Sequence, residues 1–104
     1  MAISSANVTT AIGNVYTSSG NSAITFLAFC NTGAATSVAN VYIVPSGESA
    51  NVINQVLSDL SVTSKDTYQM YSGGEKLLLG NGDMIQASAN ANNALHTVVS
   101  YTSI

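Results

Sequence analysis

Charge is what this sequence has least of. Seven of its 104 residues are charged (Glu48, Asp59, Lys65, Asp66, Glu75, Lys76 and Asp83), where an ordinary soluble domain carries roughly a quarter. Lys65 and Lys76 are the only basic residues and the net charge is −3. Nucleic-acid binding needs several Lys or Arg side chains on one face, so no nucleic-acid partner is expected. The same shortage argues against an anionic membrane surface. Catalytic sites concentrate ionisable groups, and there are few here to concentrate, so the chain is not expected to be an enzyme. One cysteine, Cys30, leaves no internal disulfide and fits synthesis in a reducing cytoplasm. The longest apolar run, residues 23–30, is interrupted by Thr25 and is far short of the ~20 residues that span a bilayer. The first residues have neither a basic start nor an apolar stretch, so no signal peptide is expected. Without one, Asn7-Val8-Thr9 is a coincidental glycosylation pattern.

In place of charge the chain carries 36 Ser, Thr and Asn residues. Neutral polar groups hydrate a surface but cost less to desolvate than ions, so such a surface tolerates packing against neighbours. Hydrophobic residues make up 46%, enough for one core, and residues 1–104 read as a single domain.

Turn signals are frequent: Ser18-Ser19-Gly20-Asn21, Asn31-Thr32-Gly33, Pro45-Ser46-Gly47, Ser64-Lys65-Asp66, Ser72-Gly73-Gly74, Gly80-Asn81-Gly82-Asp83 and Asn90 to Asn93. Short β-rich runs between them predict an all-β antiparallel sandwich, immunoglobulin-like or jelly-roll-like, of seven or eight short strands. Strands are expected over residues 7–17 with a phase shift near Gly13, 22–30, 38–44, 51–62, 67–71, 76–79 (a short piece), 84–89 and 95–101 or beyond. Residues 22–30 are apolar on both faces: Ile24, Phe26, Ala28 and Cys30 on one, Leu27 and Phe29 on the other. That pattern suits a central strand or one covered by a neighbouring subunit. Over residues 51–60, Val52, Ile53, Val56, Leu57 and Leu60 also fit helical spacing. Asn51, Asn54 and Ser58 are poor helix-interior residues, so strand is favoured and a short helix stays open. Residues 1–6 read as a flexible N-terminal arm, and the whole segment before Ile24 as an arm or edge strand that contacts neighbours.

No residue stands out as catalytic, cofactor-binding or metal-binding. His96, the only histidine, could serve a Ser-His-Asp triad, but no Gly-x-Ser-x-Gly elbow accompanies it and alternation makes it a strand residue beside Val98. Cys30 has no neighbouring base in sequence to stabilise a thiolate and reads as a buried small hydrophobe. Asp83 lacks the spaced oxygen ligands of a calcium loop and reads as turn chemistry. Glu75 and Asp83 are too isolated to form a glycosidase pair. Asp66 also reads as a turn residue, with Lys65 as its solvated neighbour. Tyr16, Tyr42, Tyr68, Tyr71 and Tyr101 suit half-buried sheet positions first, a subunit interface second and a sugar-stacking platform last.

Several segments together resemble small virion-associated β-sandwich structural proteins of tailed bacteriophages. They are the apolar strand leading into Cys30-Asn31-Thr32-Gly33, the strand Val38-Ala39-Asn40-Val41-Tyr42-Ile43-Val44 closed by Pro45-Ser46-Gly47, and Lys65-Asp66-Thr67 entering a strand. Lys76-Leu77-Leu78-Leu79 before Gly82-Asp83-Met84-Ile85-Gln86-Ala87-Ser88-Ala89 and the final Val98-Val99-Ser100-Tyr101 complete the pattern. The resemblance covers residues 24–101 and carries no catalytic residue. It implies a head decoration, neck or tail component, made in the host cytoplasm and located in the virion. Its partners would be other virion proteins and sister copies, the latter as a trimer. The alternative is a carbohydrate- or receptor-binding module of a phage fibre or adhesin. A small hydrolase built around His96 ranks last.

Overall fold

The alternation of Leu95, Thr97 and Val99 with His96, Val98 and Ser100 is realised as a strand in the computed structural model, which describes residues 2–70 and 76–104; the first three are fully buried and the others are not. Among the described residues the chain forms nine strands and no helix. They are β1 Ala2–Val8, β2 Gly13–Thr17, β3 Ser22–Asn31, β4 Ser37–Val44, β5 Gln55–Val62, β6 Thr67–Met70, β7 Leu77–Leu79, β8 Met84–Ala89 and β9 Leu95–Ser103.

They pair antiparallel in two sheets. One runs β1-β9-β3-β6, with β7 also on β3; the other runs β2-β8-β4-β5. The pieces β6 and β7 share one edge of β3, against Leu27–Cys30 and Ser22–Ile24 respectively. Counted as one strand, they complete a simple pattern. First pairs with last, second with last but one, and so inward to β4 with β5. A long antiparallel ribbon rolled up on itself gives this order, which is the jelly roll. Of the two sandwich types expected, the jelly-roll arrangement is the one found.

The core lies between the sheets. Ile24, Leu27, Phe29, Leu95 and Val99 fill it from one side; Ala39, Val41, Ile85, Ala87 and Ala89 line the other. Bulky side chains on one face meet small ones on its partner, which lets the layers close without voids. Burying each of the large side chains contributes about 1.5–3 kcal/mol. A second device is polar. Asn31, fully buried, donates from Nδ2 to the Ala35 and Val62 carbonyls at 2.9 and 2.8 Å, and its Oδ1 accepts the Gly33 N–H at 2.9 Å. One amide thus ties the end of β3 to the loop that follows and to the end of β5.

Four expectations are corrected. Residues 7–17 are not one strand: β1 and β2 belong to different sheets, and residues 9–12 cross between them. The phase shift near Gly13 marks this crossing, and a separate bulge sits at Val15. Residues 2–6 belong to β1, an edge strand rather than an arm. In β3 a bulge at Thr25 reverses the phase, so Ile24 joins Leu27 and Phe29 in the core, apart from Phe26. The two-sided apolar run is therefore one core-facing set and one outer set, Phe26, Ala28 and Cys30. Residues 51–54 form a turn, with the Asn51 side chain accepting from Ile53 N and the Asn54 side chain from Asn51 N. The strand begins only at Gln55, so the helical spacing of Val52 and Ile53 has no structural counterpart. Tyr71 and the turn at residues 72–74 lie outside the described residues.

Candidate contact surface

The outer face of the β1-β9-β3-β6/β7 sheet can be read row by row, because directly paired residues point the same way. One row is Asn7, His96, Cys30 and Thr67; the next is Ser5, Val98, Ala28 and Gln69; a third is Ile3, Ser100 and Phe26. Leu78, Ala23 and Thr102 continue the face toward its other end. None of these residues is charged. Ile3 is 74% exposed, Leu78 66% and Val98 39%. A β-rich apolar set among neutral polar neighbours suits contact, since the paired rows hold no ion to desolvate; the nearest described charges, Lys65, Asp66 and Lys76, stand at the β6/β7 edge.

The outer face of the other sheet differs. Asn40 Oδ1 accepts from Gln55 Nε2 and from the Asp59 N–H, both at 2.9 Å, and Asn40 Nδ2 donates to the Asp59 carboxylate at 3.2 Å. The amides there satisfy one another around a charged residue. A smaller apolar feature is the β4–β5 loop, where Val52 and Ile53 are 83% and 91% exposed.

Each residue weighed for chemistry has a definite place. His96 and Cys30 are cross-strand partners on the outer face just described. Cys30 is half-exposed rather than buried as expected, because the Thr25 bulge turns it outward. Asn7, next in the row, is committed to Asn93 through a side-chain hydrogen bond of 3.1 Å. Spacing of about 66 residues hid the His96–Cys30 pairing from a linear reading; only strand register reveals it. Asp83 holds a turn: its two carboxylate oxygens accept from Ser46 N and Gly80 N, each at 2.8 Å. Asp66 accepts from the Thr67 N–H at 2.8 Å, and Lys65 Nζ donates to the Thr32 carbonyl at 2.8 Å, so Lys65 is a strut and not merely a solvated neighbour. Glu75 lies outside the described residues, as does Tyr71. Of the remaining tyrosines, Tyr16 and Tyr101 stack on each other at the margin of the core. Tyr42 lies on β4 of the opposite sheet and Tyr68 on β6. These four do not share a face.

Among the described residues no pocket opens, and no group of three or more His, Cys, Asp or Glu side chains gathers as metal ligands. The sandwich defines the architectural class alone. No family model, curated protein or solved structure matches the chain.

Proposed function

We propose that the chain is a structural building block of a phage virion, a head decoration, neck or tail component. It would dock on a larger particle through the outer face of the β1-β9-β3-β6/β7 sheet. The observation that carries this reading is the composition of that face: an exposed apolar set of Ile3, Leu78 and Val98 whose paired cross-strand neighbours are all uncharged.

The mechanism is surface complementarity. Burial of apolar area contributes about 25 cal/mol per Å², from which the costs of association are deducted. A contact of roughly 800 Å² per partner is a standard interface, and repeated copies on a symmetric particle add avidity. A component that binds the assembled state preferentially stabilises it. Self-association belongs to the same reading, and the resemblance implies trimers. Jelly rolls serve in viral shells and in lectins alike, so the fold alone does not choose between docking and sugar binding. The sugar reading calls for tyrosines gathered on one exposed face, and the four described ones are dispersed.

Co-sedimentation with purified virions tests the proposal. The unmodified chain is expected to pellet with the particles, and Val98→Glu, which places an ion at the centre of the face, is expected to stay in the supernatant while remaining folded. Equal pelleting of both, or of neither, would contradict the assignment of this face.

A further inference from the structure

The four strand edges of the sandwich are not alike. A free edge offers a row of unpaired N–H and C=O groups, and folded proteins guard such edges with bulges, charges, proline or brevity. The β5 edge is bulged twice and carries Asp59 at φ 48°. The β6/β7 edge is split into pieces of 4 and 3 residues, with Lys65 and Asp66 just before one and Lys76 just before the other. The β2 edge is 5 residues long and bulged at Val15. The β1 edge alone has no guard. Its 7 residues, Ala2–Val8, pair with β9 from Ala2↔Tyr101 to Val8↔Leu95 without a register shift, and contain no charge and no proline.

We propose that β1 is an interaction edge and that its occupant is β1 of a second copy of this chain, added antiparallel about a twofold axis. Every second residue of β1 turns its N–H and C=O away from β9, and only another strand satisfies both in series. A register centred on Ser5 sets Ser5 against its own copy and Ile3 against Asn7, all on the outer face. Charge distribution favours a sister copy. The chain is net −3, yet β1, β9, the crossing at residues 9–12, β2 and the loop at residues 90–94 contain no charged residue. Asp59, Lys65, Asp66 and Lys76 belong to β5, its turn and the β6/β7 edge, at the far ends of both sheet orders from β1 and β2. Pairing at β1 therefore buries no charged side chain of β1 or of β9, the strand it already pairs with. The contact is isologous and pairs copies, which replaces the threefold count as our reading of self-association. It joins two sheets into one, so the uncharged outer face continues across the seam.

The inference does not depend on docking to a particle, because it is tested without one. Native mass measurement over a wide range of concentrations, on the full chain, is expected to show a species of twice the 10.6 kDa chain mass. Ser5→Lys, at an exposed position that guards the edge as natural edges are guarded, is expected to weaken pairing by about tenfold or more with an unchanged circular dichroism spectrum. Amide hydrogen exchange supplies a second readout: β1 should become more protected as concentration rises, while β6 should not. A monomer at every concentration, a closed trimer, pairing undiminished in Ser5→Lys, or β1 exchange independent of concentration would each overturn the proposal.

Discussion

Tyr16 of β2 and Tyr101 of β9 stack across the two sheets, their ring centroids 4.4 Å apart and their planes tilted by 39°. The Tyr16 hydroxyl lies 2.9 Å from Ser22 Oγ, and Ser18 Oγ lies 2.8 Å from the same oxygen. The aromatic pair closes the margin of the core, and the hydroxyl chain fixes the corner where β2 turns into β3. Tyr16→Phe keeps the stack and loses one bond, for a cost of about 1 kcal/mol. Tyr101→Ala removes the stack and much buried area, for about 3 kcal/mol. Urea denaturation of both variants checks the order.

Asn31 makes three side-chain hydrogen bonds in a fully buried site. Asn31→Leu fills the space but leaves two carbonyls and an N–H without partners, each costing roughly 1–3 kcal/mol. A loss of at least ~3 kcal/mol is expected, a large part of the roughly 5–15 kcal/mol that holds a domain folded. Thermal unfolding of the variant should show it.

Thr97 presents the opposite case. It is fully buried and its Oγ1 has no hydrogen-bond partner among the described residues. Thr97→Val replaces that hydroxyl by a methyl group of similar size and is expected to raise stability by about 0.5–1 kcal/mol. An increase in the urea midpoint at constant slope is the expected result; a decrease would mean that the hydroxyl is satisfied in solution.

The turn before β8 rests on Gly82, at φ 86°, where an added Cβ would come within 2.5 Å of Ser46 Oγ. Gly82→Ala combines left-handed strain with this clash and should cost at least ~1–2 kcal/mol. Asp83→Ala releases the N–H groups of Ser46 and Gly80 and should destabilise the same corner. Melting curves of the two variants and their combination should show less than additive losses, since both act on one turn.

Much of this architecture was legible in the sequence because turn chemistry and alternation are local. Asn81-Gly82-Asp83 announced its turn, and the alternation from Leu95 to Tyr101 marked β9 as a strand, though which face is buried came only from the structure. The places where reading failed share a cause: a residue that changes phase without changing composition. The Thr25 bulge moved Ile24 to the opposite face from Phe26, and the crossing at residues 9–12 sent β1 and β2 to different sheets. Val52 and Ile53 mimicked a helix because exposed apolar residues at a loop tip obey no period. The contact surface was legible only as a scarcity of charge. Its rows needed the register that sets Val98 beside Ala28 and His96 beside Cys30.

Cys30 gives chemical access to that surface. It is the only cysteine, half-exposed at the centre of its row. A bulky maleimide on Cys30 is expected to abolish attachment to virions and leave the unfolding transition near its original position. Attachment of the labelled chain would place the contact on another face.

The central claim is that this chain binds through uncharged area, and ionic strength tests it most directly. Exposed ion pairs weaken as the screening length falls from about 10 Å at 0.1 M salt to about 3 Å at 1 M, whereas apolar burial does not. Co-sedimentation of the chain with purified virions is therefore predicted to be equal, or slightly stronger, at high salt. Release from the particles as salt rises, or failure to sediment with them at any salt concentration, would contradict the account.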